Sequence, residues 1–239
     1  MTAYAARSLR LYLANRTYVL GVPILTLGLM VFVSILIAVV LGIANGFPLS
    51  PEIQQGFRSN MGAVWCLPGF LMSVGVLAAT RNFAMALAFG TTRRHFWLGT
   101  TAGFVVSSAV TAVSSLIFLA VEQLTGHWFI KAYAFDVVAL GNGNYLTTFV
   151  VTFVLSLLSL TAGALFGTVF RAFGPKATTG LAFGCVLLLF IVIALAMWQR
   201  DAVGAWLMAW GVWAGVAVGS GLVVVTGAAS YAACRAATV

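Results

Sequence analysis

Apolar runs long enough to cross a bilayer, separated by short charged breaks, set the problem this chain has to solve. From Val19 to Ala44 no charged residue occurs. Crossing the hydrocarbon takes about 20 such residues as a helix, and a run of this length is too long for the apolar core of a signal peptide. The pattern repeats, and composition says why it must. Of 239 residues, 62% are hydrophobic and 7% charged, against about 25% charged in a soluble domain. With a mean hydropathy of +1.10, the chain cannot cover a surface with polar groups in water. Its solvent is lipid.

The runs predict an all-α membrane protein, one transmembrane domain over 1–239, with spans near 19–43, 61–80, 100–122, 145–169, 178–198 and 206–232. Pro23 falls at the start of the first span, where a missing N–H is tolerated, and Pro68 lies inside the second as a kink. Residues 1–18 place Arg7, Arg10 and Arg16 among Tyr4, Leu9, Leu11, Tyr12 and Leu13. This reads either as an amphipathic interfacial helix or as a positively charged flank. Residues 44–60, with Asn45-Gly46, Pro48 and Pro51, read as turns. Trp128, Tyr133 and Tyr145 read as interface anchors between spans three and four. From Ala205 to Tyr231, glycines at 211, 215, 219 and 221 interrupt the run. One tilted helix is the reading preferred here, with a re-entrant helix before the last span as the alternative.

Charge orients the six spans. The termini and the second and fourth connections carry Arg7, Arg10, Arg16, Arg81, Arg93, Arg94, Arg171, Lys176 and Arg235. The other side carries only Arg58, Lys131 and Arg200, together with the acids Glu52, Glu122, Asp136 and Asp201. Lys and Arg resist translocation, so the first side is cytoplasmic and both termini lie there. This segregation also accounts for the net charge of +8 without nucleic acid, for which no basic cluster accompanies a binding motif.

Chemistry is scarce. Cys66, Cys185 and Cys234 form no C-x-x-C pair and no metal spacing with histidine. His95 and His127 fall on opposite sides, and neither H-E-x-x-H nor G-x-S-x-G occurs. Ser107, Ser108, Ser114, Ser115, Ser156 and Ser159 have no base at their depth, so they read as helix-packing hydroxyls. Glu122, at the outer end of span three, reads as interfacial rather than as an ion-coupling carboxylate. Small residues four apart (Gly99/Gly103, Gly163/Gly167, Gly180/Gly184 and Gly211/Gly215/Gly219) read as grooves for neighbouring helices. No P-loop is possible: the lysines are Lys131 after Ile130 and Lys176 after Pro175. No catalytic site and no cofactor is therefore expected in this chain, and energy from ATP would need a separate subunit.

The break between spans two and three is distinctive. Asn82 to Phe89 is rich in helix formers, Gly90 fits a helix C′ position, and Thr91 or Thr92 fits the N-cap of a helix starting at Arg93. This predicts a short cytoplasmic helix crossing between the spans. Phe83, Leu87, Phe89, Phe96 and Trp97 are available to pack, and Arg81, Arg93 and Arg94 to pair. The residues alone fit equally an interfacial loop whose arginines bind lipid phosphates.

Phe83-x-x-Ala86-Leu87-x-x-Gly90-x-Thr92-Arg93-Arg94-x-Phe96-x-x-Gly99 resembles the segment between spans two and three in permease subunits of bacterial ABC transporters of the ABC-2 type. The resemblance covers about twenty residues at motif level, and the six-span plan at the level of architecture. It implies that residues 81–99 are a coupling segment seated on an ATP-binding subunit, through Arg81, Phe83, Leu87, Phe89, Gly90, Thr92, Arg93, Arg94 and Phe96. It further implies a second permease subunit, identical or different, ATP and Mg in the partner, export, and residence in the bacterial cytoplasmic membrane. The apolar spans favour a hydrophobic or amphiphilic substrate such as a drug, peptide antibiotic or lipid. The competing expectation is an ATP-independent membrane protein: an immunity or sensor component, or a secondary transporter.

Overall fold

A computed structural model describes residues 3–59 and 62–236. The protein is all-helical, 89% helix, and no strand occurs among the described residues. Helix α1 spans Ala3–Ala14, α2 Val22–Asn45, α3 Pro51–Ser59, α4 Gly62–Leu77, α5 Phe83–Ala88, α6 Arg93–Leu124, α7 Tyr145–Trp198, α8 Arg200–Trp210 and α9 Val212–Ala236. Among the described residues, five helical stretches are long and apolar enough to cross a membrane: Thr17–Asn45, Trp65–Ala88, Arg93–Leu124, Tyr145–Trp198 and Val212–Ala236.

Three boundaries differ from the sequence reading. The turn-rich stretch 44–60 contains a helix, α3. Pro51 starts it, Glu52 lies in its first turn and Arg58 in its last, the arrangement that suits both the fixed φ of proline and the helix dipole. The second apolar run does not stop at 80. It continues through a π-helical turn, Ala78–Asn82, into α5, because nothing before Gly90 breaks a run of Ala, Met and Leu. The start of the 81–99 segment is therefore the end of a long helix, Trp65–Ala88, rather than a separate short helix. Finally, the last apolar run is two helices. Gly211 takes φ 52°, ψ −131° between α8 and α9, which excludes one tilted helix across 206–232.

The 54-residue α7 would measure about 80 Å if straight, against about 30 Å of hydrocarbon. It is not straight: Gly174 takes φ 80°, ψ −176°, with Pro175 after it. A left-handed glycine ends one helix and the proline cannot continue its hydrogen-bond ladder.

The chain forms two compact units, one from residues 1–12, 72–102 and 160–239, the other from 13–71 and 103–159. In the second unit, α2 turns one stripe inward, including Leu27, Met30, Val31, Ser34 and Ala38, and leaves Leu25, Phe32 and Ile43 exposed. Part of α6 meets part of α7 there through hydroxyls. Ser115 donates to the backbone oxygen of Ala112 at 2.8 Å and lies 3.3 Å from Thr152 Oγ1. Thr111 bonds the carbonyl of Ser107 and Ser159 that of Leu155. These are the packing roles expected of buried membrane hydroxyls.

In the first unit, α4 and α7 approach closely at glycines. A Cβ on Gly163 would collide with the Met72 carbonyl, and one on Gly167 would press on Ala79 and Val76. Thr161 and Thr226 join α7 to α9 at 2.9 Å. Of the small-residue pairs read from the sequence, Gly163/Gly167 packs a neighbour, whereas Gly180 and Gly184 meet open space.

Candidate docking surface

The tip of the α4–α5 helix builds the first unit's candidate site. Gly90, at φ 75°, ends α5. The N–H of Gly90 bonds the Leu87 carbonyl at 2.9 Å, and that of Thr91 the Ala86 carbonyl at 3.0 Å. This pair of bonds is a Schellman turn, which glycine adopts without strain. Thr92 then starts α6: its carbonyl accepts from the Phe96 N–H at 2.9 Å. Its Oγ1 lies 3.4 Å from the His95 N–H and 2.8 Å from His95 Nδ1. The helix stop at Gly90 and the N-cap at Thr92 form as the sequence predicts.

The structure divides the nine candidate residues into two sets. Phe83 and Phe96 are buried, 1% and 3% exposed, with their rings edge to face at 5.1 Å. Together with Ala86 and Cys234 they form a small core, against which Leu87, Leu11, Trp97 and Ala172 pack. Of the residues available to pack, Phe83 and Phe96 thus pack within the chain itself. The reason is periodicity: 83 and 86 share a helix face, and apolar bulk on that face finds α1, α6, α7 and α9 within its own chain. Arg93 is half-buried, and its Nη1 donates to the Arg235 carbonyl at 2.6 Å. Its guanidinium serves the fold.

Arg81, Phe89, Gly90, Thr92 and Arg94 remain exposed. Met85 (45%) and Phe89 (74%) stand out as apolar knobs, with the cations Arg81 before them and Arg94 after them. Sequence reasoning missed Met85, although the helical period places it off the Phe83/Ala86 face. It also missed Arg171, far away in sequence, which donates to the Thr80 carbonyl at 2.7 Å and lies 4.8 Å from the centre of the Phe83 ring. Nothing local in the sequence signals that contact. Helix α1 contributes as well. Ser8 and Tyr12 are buried, Leu11 packs on the core, and Arg7 and Arg10 are exposed. One face of this helix therefore belongs to the protein rather than to the membrane surface.

The second unit holds a separate polar cluster. Glu122, near the end of α6, is fully buried in the protein and accepts the N–H groups of Ala134, Phe135 and Asp136. Asp136 Oδ2 takes Arg58 at 3.1 Å and His127 at 3.0 Å. Tyr133 is buried between Arg58 and His127, 5.0 and 4.2 Å from its ring, so it is not an interface anchor, whereas Tyr145 remains 45% exposed. These carboxylates hold a loop that turns through positive φ at His127, Trp128, Phe129 and Lys131. Among the described residues, no group of three or more His, Cys, Asp or Glu could hold a metal.

Searches against protein-family models, curated proteins and solved structures return no match to this chain. The five membrane-length apolar helices among the described residues make it a multi-pass helical membrane protein.

Proposed function

We propose that the chain is the membrane-spanning subunit of an ATP-driven exporter of the ABC-2 type, docking through the α5 tip on a separate ATP-binding subunit. The observation that carries this reading is the two-sided tip. One face is fixed by Phe83, Ala86 and Phe96, while the other offers Met85 and Phe89 between Arg81 and Arg94. A rigid apolar knob rimmed by cations suits an apolar groove rimmed by acids. The motif that resembles ABC-2 permeases spans this tip, and the sequence holds no P-loop of its own.

Six crossings fit this reading. The Gly174-Pro175 break divides α7 into two stretches, each long enough to cross. Arg171 and Lys176 flank the break, which supports a cytoplasmic position for it, with the termini. Helix α8, eleven residues with Trp206, Leu207, Met208 and Trp210 exposed, is too short to cross and serves as the re-entrant or interfacial segment before α9. A second permease subunit, identical or different, completes the pathway. The scarcity of charge in the spans favours a hydrophobic or amphiphilic substrate.

Purification in mild detergent, with identification of every chain that co-purifies, tests this reading. An ATP-binding protein and vanadate-sensitive ATPase activity are expected. A transport or protective activity that persists without ATP and without any co-purifying ATPase would instead identify an ATP-independent membrane protein.

A further inference from the structure

The geometry points to Arg171 as a positioning residue that links the α5 tip to the break in α7, so that movement of one is felt at the other. This deepens the docking reading and rests on it.

Two irregular points of backbone lie near Arg171. One is the π-helical turn Ala78–Asn82, immediately before α5. The other is Gly174, three residues after Arg171, at φ 80°, ψ −176°. Both are places where a helix bends more easily than in a regular stretch. Arg171 spans the first of them. Its Nη1 donates to the carbonyl of Thr80, inside the π-helical turn, at 2.7 Å. Its guanidinium also lies 4.8 Å from the ring of Phe83, the first residue of α5. Residues 80 and 83 share one helix face, so a single planar group holds the turn and the tip together.

The contact is specific to arginine. A guanidinium offers an edge of donors and a flat cationic face at once, whereas an ammonium is a point charge that cannot satisfy both sites in this way. The ring is itself packed against Phe96, edge to face at 5.1 Å. A push on α5 therefore meets a packed ring and a charge-assisted hydrogen bond rather than a loose side chain. Its outlet is the last helical turn before Gly174, and the glycine lets that turn change its angle to the helix that follows, so the backbone on both sides of the break feels the change.

The linkage can be read in the full-length chain alone, in lipid nanodiscs, by hydrogen–deuterium exchange. The Gly90→Ala change loosens the tip by placing a Cβ at φ 75°. In the native background it is expected to speed exchange at 83–88 and also at 172–179, each by about tenfold, the scale of losing a charge-assisted hydrogen bond. With Arg171→Met added, the tip still responds but 172–179 no longer does. Arg171→Lys gives the same uncoupling. Phe83→Leu, which keeps an apolar side chain in the core, weakens the response while the fold holds. If 172–179 responds equally with and without Arg171, or fails to respond in the native background, the linkage is wrong. Co-purification of an ATPase tests the docking reading separately, so either result can fail without the other.

Discussion

The carboxylate of Glu122 lies 2.8 Å from the backbone nitrogen of Phe135 and also accepts from Ala134 and Asp136. Three consecutive N–H groups aimed at one anion form a nest. A carboxylate that binds its own loop is a structural group rather than a carrier site. Replacing Glu122 by Ala strands three buried donors, each costing about 1–3 kcal/mol, so a loss of at least about 3 kcal/mol is expected. Thermal unfolding in detergent should show a clear drop for Glu122→Ala. Asp201→Asn, at an exposed pair with Arg200, should leave the midpoint unchanged.

The two faces of the α5 tip should separate binding from stability. Arg81→Glu combined with Arg94→Glu is expected to weaken co-purification of the proposed ATP-binding subunit at least tenfold with an unchanged melting midpoint, since both side chains are exposed. Phe83→Ala should do the reverse and cost about 3–5 kcal/mol of stability. Arg93→Glu would confuse the two effects, because it breaks the bond to the Arg235 carbonyl.

Glycines of equal appearance in the sequence should differ in tolerance. Gly163→Leu drives a side chain into the Met72 carbonyl and is expected to prevent α4 and α7 from packing. Gly180→Leu meets open space and should leave expression and melting unchanged. Size-exclusion profiles of the two variants in the same detergent check this.

Topology can be read from the chain's two lysines. Lys131 and Lys176 are both exposed and fall on opposite sides in the six-span arrangement. A membrane-impermeant amine reagent applied to intact cells should modify Lys131 and spare Lys176 until the membrane is opened. Labelling of both from outside would reject six crossings with a cytoplasmic break at Gly174.

Much of the site was legible locally. Gly90 and Thr92 act through backbone geometry set by their immediate neighbours, so the Schellman turn and the N-cap could be read from residue type. The faces of the tip were harder. Phe83 and Phe89 look alike in sequence, yet one is 1% and the other 74% exposed. That difference depends on which neighbouring helices lie beside α5, and no local pattern reports it. The helix end at Gly211 shows the same limit. That glycine was visible, but a glycine inside an apolar run is compatible with a continuous membrane helix as well as with a break, whereas the break at Gly174 falls in the charged connection expected between the fourth and fifth spans.

By itself, the sequence determined that this chain is helical and that several of its helices reach membrane length, and neither of its lysines stands in a P-loop pattern. Those follow from hydropathy, run length and residue identity, which need no knowledge of neighbours. Only the tertiary structure decided that Glu122 is a buried loop anchor, that Arg93 serves the fold, and that Arg171 reaches Thr80 and Phe83. Such contacts join residues many positions apart, and their energies arise from geometry that the packing of the helices alone creates.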